Sequence, residues 1–196
     1  MKKNSTLLIV IIALLAILFI GGCREYNKIV PLREQVNSAW ANVENVYQRR
    51  ADLIPNLVET VKGYAAYEQE TYTRVTEARA KATQVTLDPA NLTSEDIQRF
   101  QAAQGEVTSA LSRLLAIVEN YPDLKANQNF LELQAQLEGT ENRIAVERRN
   151  FNTAATTYNT AIKKFPIVLI AKMLGFSVRP YFEAEAGSNK APEVKF

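Results

Sequence analysis

Six apolar residues at intervals of seven constrain this chain more than any other feature. Phe130, Leu137, Ile144, Phe151, Tyr158 and Phe165 share one heptad position. Seven residues is close to two turns of α-helix, so the six side chains fall on one stripe. A strand, with its period of two, cannot carry that pattern. The spacing predicts a helix of about 35 to 40 residues, very roughly 55 Å long. It runs over 124–164, with Pro166 as its stop. A helix of that length must bury its seam against other helices. An asparagine follows two of the rings, as Asn152 and Asn159. One residue is about 100° of helix, so these amides border the stripe. There they either bond to a neighbouring element and fix register, or meet solvent.

The partner helices are legible upstream. Ile29, Val36 and Val43 recur at seven, and Leu32, Ala39, Val46 and Leu53 fill the companion position. Trp40, Tyr47 and Ile54 widen the stripe, and the register continues through Leu57, Val61, Tyr64 and Val75. Pro55 interrupts it. Proline lacks the N–H and crowds the preceding turn, so 27–80 is either one helix bent at Pro55 or two helices meeting there. Residues 86–93 form a loop. Thr93 followed three residues later by Asp96 is a helix-start signature. Ile97, Phe100, Val107, Leu111, Leu114 and Val118 then follow the spacing of an amphipathic helix that ends at Tyr121-Pro122. With no strand alternation anywhere, the chain is all-α. It is an antiparallel up-and-down bundle of three to four long helices over residues 25–182.

The chain begins with a different kind of segment. Lys2 and Lys3 precede fourteen unbroken apolar residues, Leu7 to Ile20, and then Gly21-Gly22-Cys23. Fourteen residues make about 21 Å of helix, and Ser5 through Cys23 about 28 Å, against a hydrocarbon core of about 30 Å. Residues 1–23 are therefore either a single-pass anchor or a lipoprotein signal with Cys23 as the lipidated residue. Both place the bundle outside the cytoplasm, because the lysines stay inside. The membrane bilayer is thus the first expected partner. Residues 183–196 are small and polar and read as a disordered tail. The apolar stretch Ile167 to Phe176 is too short to span a bilayer. It is assigned to capping the bundle, with a membrane-surface position as the alternative.

Chemistry is scarce. The chain has no histidine, and its single cysteine lies in the leader. The commonest general base and metal ligand are therefore missing, and no glycine-rich phosphate loop occurs. Neither catalytic residues, metal nor cofactor are assigned. Net charge is +2, with no concentrated basic face of the kind nucleic acid requires. Several polar side chains do lie near the apolar stripes: Arg50, Glu68, Glu141 and Arg148. A charge near a core needs a partner. Together with Asn152 and Asn159 they make a possible buried polar network. It is either structural, with Arg50 and Arg148 paired to acids such as Glu141, or the lining of a ligand pocket.

Tyr26-Asn27, RRADLIPNLVETVKGYAAYE (49–68), EARA (77–80) and ENYPDLKANQNFLELQAQLEGTENRIAVERRNFNTAATTYNTAIKKFP (119–166) resemble the LemA family. The likeness covers nearly all of 25–176. Asp52-Leu53-Ile54-Pro55-Asn56-Leu57, Tyr121-Pro122, Glu141-Asn142-Arg143-Ile144 and the Arg148-Arg149-x-x-Asn152 run occur in order. Phe151 stands where family members usually have Tyr. The resemblance implies an antiparallel helical bundle held by its N-terminus to a bacterial membrane and facing out of the cytoplasm. It implies no catalytic residues, and envelope or membrane-organising roles. The expected function is a membrane-anchored scaffold or adaptor that binds another envelope protein through its helical faces. The alternative is a ligand-sensing extracytoplasmic domain with a polar inter-helix pocket.

Overall fold

The computed structural model describes the backbone of residues 2–65 and 67–183, with side chains from residue 12 onward except 14, 15 and 17–19. All regular structure among the described residues is helical. Helix α1 spans Lys2–Lys62, α2 Gln69–Gln84, α3 Ser94–Val118, α4 Pro122–Lys125 and α5 Gln128–Lys163. A 3-10 turn, Ile167–Leu169, follows.

Helix α1 passes through both Pro31 and Pro55 without a break. The chain instead turns at Gly63, where the amides of Gly63 and Ala65 close back on the carbonyls of Glu59 and Val61. The group that Pro55 orphans is met across the bundle. Proline at 55 leaves the Ala51 carbonyl without its helical donor. Arg79 of α2 supplies one, its Nε lying 2.7 Å from that oxygen.

Helix starts follow local signals. Thr93 and Asp96 form a reciprocal capping box. The Thr93 hydroxyl accepts from the Asp96 amide, and Asp96 accepts from the Thr93 amide, both at 3.1 Å. The final long helix begins later than the periodicity suggests. Asn127 caps it by accepting from the Phe130 amide at 3.0 Å, which leaves Pro122–Lys125 as a separate single turn.

The closest helix pairs are α1 with α5 and α2 with α3, with α2 also packing on α1. Pairing of Arg50 with Glu141 in one half, and of Glu25 and Lys28 with Lys164 around one groove in the other, makes α1 and α5 antiparallel. Two apolar cores result. One gathers Val36, Trp40, Val43, Phe151 and Tyr158 with Phe176 and Phe182. The other gathers Ile54, Leu57, Val61, Leu111, Leu114, Phe130 and Leu137. The heptad stripe holds from Phe130 to Tyr158, all buried, but Phe165 is 80% exposed. It lies past the end of α5, and Ile162, four residues after Tyr158, takes the last seam position.

After α5 the chain folds back on itself. Ile167, Ala171 and Phe176 are buried, as a bundle cap requires, while Val168, Leu169 and Met173 stay exposed. Gly175, at φ +76°, ends this segment. The amide of Phe176 bonds to the Ala171 carbonyl and that of Gly175 to the Lys172 carbonyl, a Schellman closure whose left-handed residue suits glycine. Residues 177–183 then run extended along α5. Residues 184–196, including most of the expected tail, lie outside the described residues, as do most side chains of the leader. Among the described residues no helix is long and apolar enough to cross a membrane.

Candidate functional site: a polar layer between two cores

Between the two cores sits one buried charge. Arg50, 2% exposed, follows Tyr47 and precedes Ile54 on the inner face of α1. Its guanidinium meets three helices. NH1 donates to Glu141 of α5 at 2.7 Å and to the Thr108 hydroxyl of α3 at 3.1 Å. NH2 donates to the Gln104 side chain at 2.5 Å and the Gln104 carbonyl at 3.2 Å. The guanidinium carbon also lies 5.0 Å from the Tyr47 ring centroid. Both terminal nitrogens of the cation are therefore met by protein, as a buried arginine requires.

A furrow runs between α3 and α5 across this layer. One stretch, of about 570 Å³, is lined by Arg50, Gln101, Gln104, Ser109, Glu141 and Arg148. The next, of about 400 Å³, continues past Leu111, Ser112, Leu115, Gln134 and Glu138. Thr108 and Glu141 belong to both, so the furrow is continuous. Its lining mixes charged, amide, hydroxyl and apolar side chains. Among the described residues no group of acidic or sulfur side chains could hold a metal ion. The furrow is thus a cleft between α3 and α5 with polar and apolar lining along its length.

The other residues singled out by sequence divide into two further groups. Asn152 and Asn159 both grip the extended segment 177–183. Asn159 accepts the Arg179 amide and donates to the Arg179 carbonyl, each at 2.8 Å. Asn152 does the same with Phe182, at 2.8 and 2.9 Å. Seven residues of helix advance about 10.5 Å and three residues of extended chain about 10 Å, so the two spacings match. Arg148, one turn before Asn152, donates to the Glu183 carbonyl at 2.9 Å and lies 5.1 Å from the Phe182 ring. The strap is pinned further by Phe182, whose ring packs 5.4 Å from Phe151 and 5.9 Å from Trp40. Arg179, 3% exposed, reaches the Ala90 carbonyl at 2.5 Å, and burial lowers the pKa of its guanidinium. Glu68 stands apart from both groups. It lies in the α1–α2 turn at the other end of the bundle, where it accepts from the Tyr121 hydroxyl at 3.5 Å.

Gln104, Thr108, Arg179 and Phe182 are the members that sequence reasoning missed. Gln104 and Gly105 show only as a gap in the α3 periodicity. That gap, at the level of a polar residue in the α1 stripe, was the available signal.

Residues 39–196 match the model of the LemA family. The Magnetosome protein MamQ of Magnetospirillum gryphiswaldense is 31% identical over 180 residues, covering 83% of this chain and 66% of that protein. MamQ 1 of Paramagnetospirillum magneticum is 29% identical over 194 residues, 90% of this chain and 71% of that protein. Protein LemA of Metamycoplasma hominis is 25% identical over 161 residues, 81% of this chain and 68% of that protein. The chain therefore spans about two thirds of the length of these relatives.

Proposed function

The chain belongs to the LemA family, and from that premise we propose that it is a membrane-anchored scaffold or adaptor of a bacterial cell envelope. Residues 1–23 hold it to the membrane, by an apolar helix or by lipid on Cys23. The bundle faces away from the cytoplasm. The observation that carries the reading is the state of Arg50: its charge is met in full by Glu141, Gln104 and Thr108. A buried cation whose two terminal nitrogens make four hydrogen bonds to neighbouring helices stabilises one helix register. The α3–α5 furrow beside it fits a helix from another envelope protein, in the helix-in-groove mode. The names of the relatives carry no catalytic activity, which agrees with a structural role.

Photo-crosslinking amino acids placed in cells at Ser112, Glu138 and Asn142 test this. All three line the furrow. The expected outcome is a shared crosslinked protein from these positions and none from Arg49 or Glu59, which are exposed on α1. Equal labelling from both sets would contradict a furrow partner.

The second reading, a ligand sensor, draws on the size of the furrow at Arg50 and Arg148, about 570 Å³. It differs from the first in requiring a bound molecule that contacts the guanidinium of Arg50.

A further inference from the structure

The segment after α5 does more than close the bundle. Phe165 is 80% exposed, Val168 48%, Leu169 69% and Met173 86%. Exposed apolar side chains scattered singly are ordinary, but a contiguous stretch of them marks an interaction surface. This stretch is held rigidly from behind. Ile167, Ala171 and Phe176 are buried in the first core, and the Phe176 ring lies 5.4 Å from that of Tyr26. The Schellman closure at Gly175 fixes its far end. The exposed face is thus presented by the fold and is not a frayed terminus.

Two independent observations say what covers it. The first is charge. Lys163, Lys164 and Lys172 are exposed among these apolar residues. From Arg148 to Phe182 the sequence carries six basic residues and no Asp or Glu. An apolar segment whose own exposed charges, Lys163, Lys164 and Lys172, are all basic matches a bilayer with anionic headgroups. The second is position. Phe165, Pro166 and Ile167 line one groove with Glu25, Lys28 and Ile29 of α1. Tyr26 follows Cys23, the last residue of the Ser5–Cys23 span, by three positions, or about 4.5 Å of helix. Headgroup zones extend about 5 to 8 Å beyond the hydrocarbon on each side. An anchor that ends near Cys23 therefore sets residues 165–174, whose first three share a groove with Glu25 and Lys28, at the level of the lipid headgroups.

We propose that residues 165–174, with Lys163, Lys164 and Lys172, form an interfacial foot that seats the bundle on the anionic surface of the membrane that anchors it. Phe165, Leu169 and Met173 enter the headgroup–acyl boundary, and the lysine heads reach lipid phosphates while their stems cover apolar surface. With α1, this gives the bundle two contacts with the bilayer and so a fixed tilt. The inference rests on the membrane-anchored reading of the leader.

The test uses the full chain reconstituted in vesicles of phosphatidylcholine alone or with phosphatidylglycerol, the phosphatidylcholine carrying brominated acyl chains. Trp40 is the only native tryptophan and is fully buried, so it supplies a constant background. Leu169→Trp adds a reporter in the foot. Leu131→Trp adds one at the opposite end of the bundle, where Leu131 is 44% exposed. The expected result is quenching and a blue shift at position 169, stronger with the anionic lipid, and neither at position 131. Lys163→Glu with Lys164→Glu and Lys172→Glu should remove the anionic enhancement while the protein still floats with the vesicles. Flotation with position 169 quenched no more than position 131 would overturn the foot and leave the anchor standing. Position 169 shielded from a soluble quencher yet untouched by brominated lipid would mean a protein contact there, and would also overturn it. Failure to float would overturn both the anchor and the foot.

Discussion

Arg79 and Ala51 are joined by a hydrogen bond that belongs to neither helix: the Arg79 Nε donates at 2.7 Å to the carbonyl that Pro55 leaves unserved. The bond does two jobs. It satisfies a carbonyl that a proline orphans, and it docks α2 onto α1. Arg79→Ala is expected to cost about 1 to 3 kcal/mol, the usual penalty for a partly buried acceptor left unmet. Pro55→Ala restores an N–H at 55, so the same Arg79→Ala change should cost less in that background. Urea unfolding of the four proteins checks the coupling. An equal cost in both backgrounds would separate Arg79 from the proline.

Asn159 holds the strap by both atoms of its amide. Asn159→Ala leaves the amide and carbonyl of Arg179 unpaired and is expected to lower stability by about 2 to 3 kcal/mol. The loss should be local first. Chymotryptic cleavage after Tyr181 and Phe182 should accelerate well before the helical signal falls. Simultaneous loss of both signals would mean that the strap is inseparable from the bundle.

The capping box sets an acid limit. The Thr93 hydroxyl bonded to Asp96 holds its carboxyl below the ordinary 3.8, and the Ala90 amide does the same for Asp88. A carboxyl with a depressed folded pKa contributes stability that is present above its unfolded value and lost as pH falls through the folded one. Stability should therefore decline as pH falls below 3.8. Glu44 acts in the opposite sense, because burial raises its pKa. Asp96→Asn leaves Glu44 and Asp88 in place and should flatten the acid limb of a melting-temperature profile. An unchanged limb would remove Asp96 from the account.

Cys23 decides the form of the anchor. Where its thiol accepts a diacylglyceryl group, Cys23→Ser must retain an uncleaved leader, since a hydroxyl cannot replace the thiol. Where the leader is a spanning helix, the same change is silent. Intact mass and labelled-palmitate incorporation on both proteins separate the two outcomes.

The helical class and the seam from Phe130 to Tyr158 were legible in the sequence, because a repeat sustained over four heptads, about eight turns, has one geometric solution. So was the Arg50–Glu141 pair, since a charge in an apolar stripe demands a partner. The turn at Gly63 was not. Register continues past it by chance of spacing, and Pro55 looked the stronger breaker only because its remedy, Arg79, lies 28 residues away. The roles of Asn152 and Asn159 were also hidden. An amide at the edge of a stripe signals a bond but not its partner, and the partner is backbone, which has no residue signature. Phe165 misled for the same reason that the stripe succeeded: periodicity does not register where a helix stops.

The most direct measurement separates scaffold from sensor at Arg50. Replacing the pair together, as Arg50→Met with Glu141→Leu, removes the charge that a ligand would need. Only Arg50 of the pair is buried, Glu141 being 43% exposed, so apolar replacement leaves no unpaired buried charge and the bundle should survive. Crosslinking in cells from Glu138 is then read in wild type and double variant, with circular dichroism to show that both are folded. The scaffold account predicts the same crosslinked protein at the same yield in both. Loss of that crosslink from a folded double variant would contradict it and assign the polar layer to a ligand.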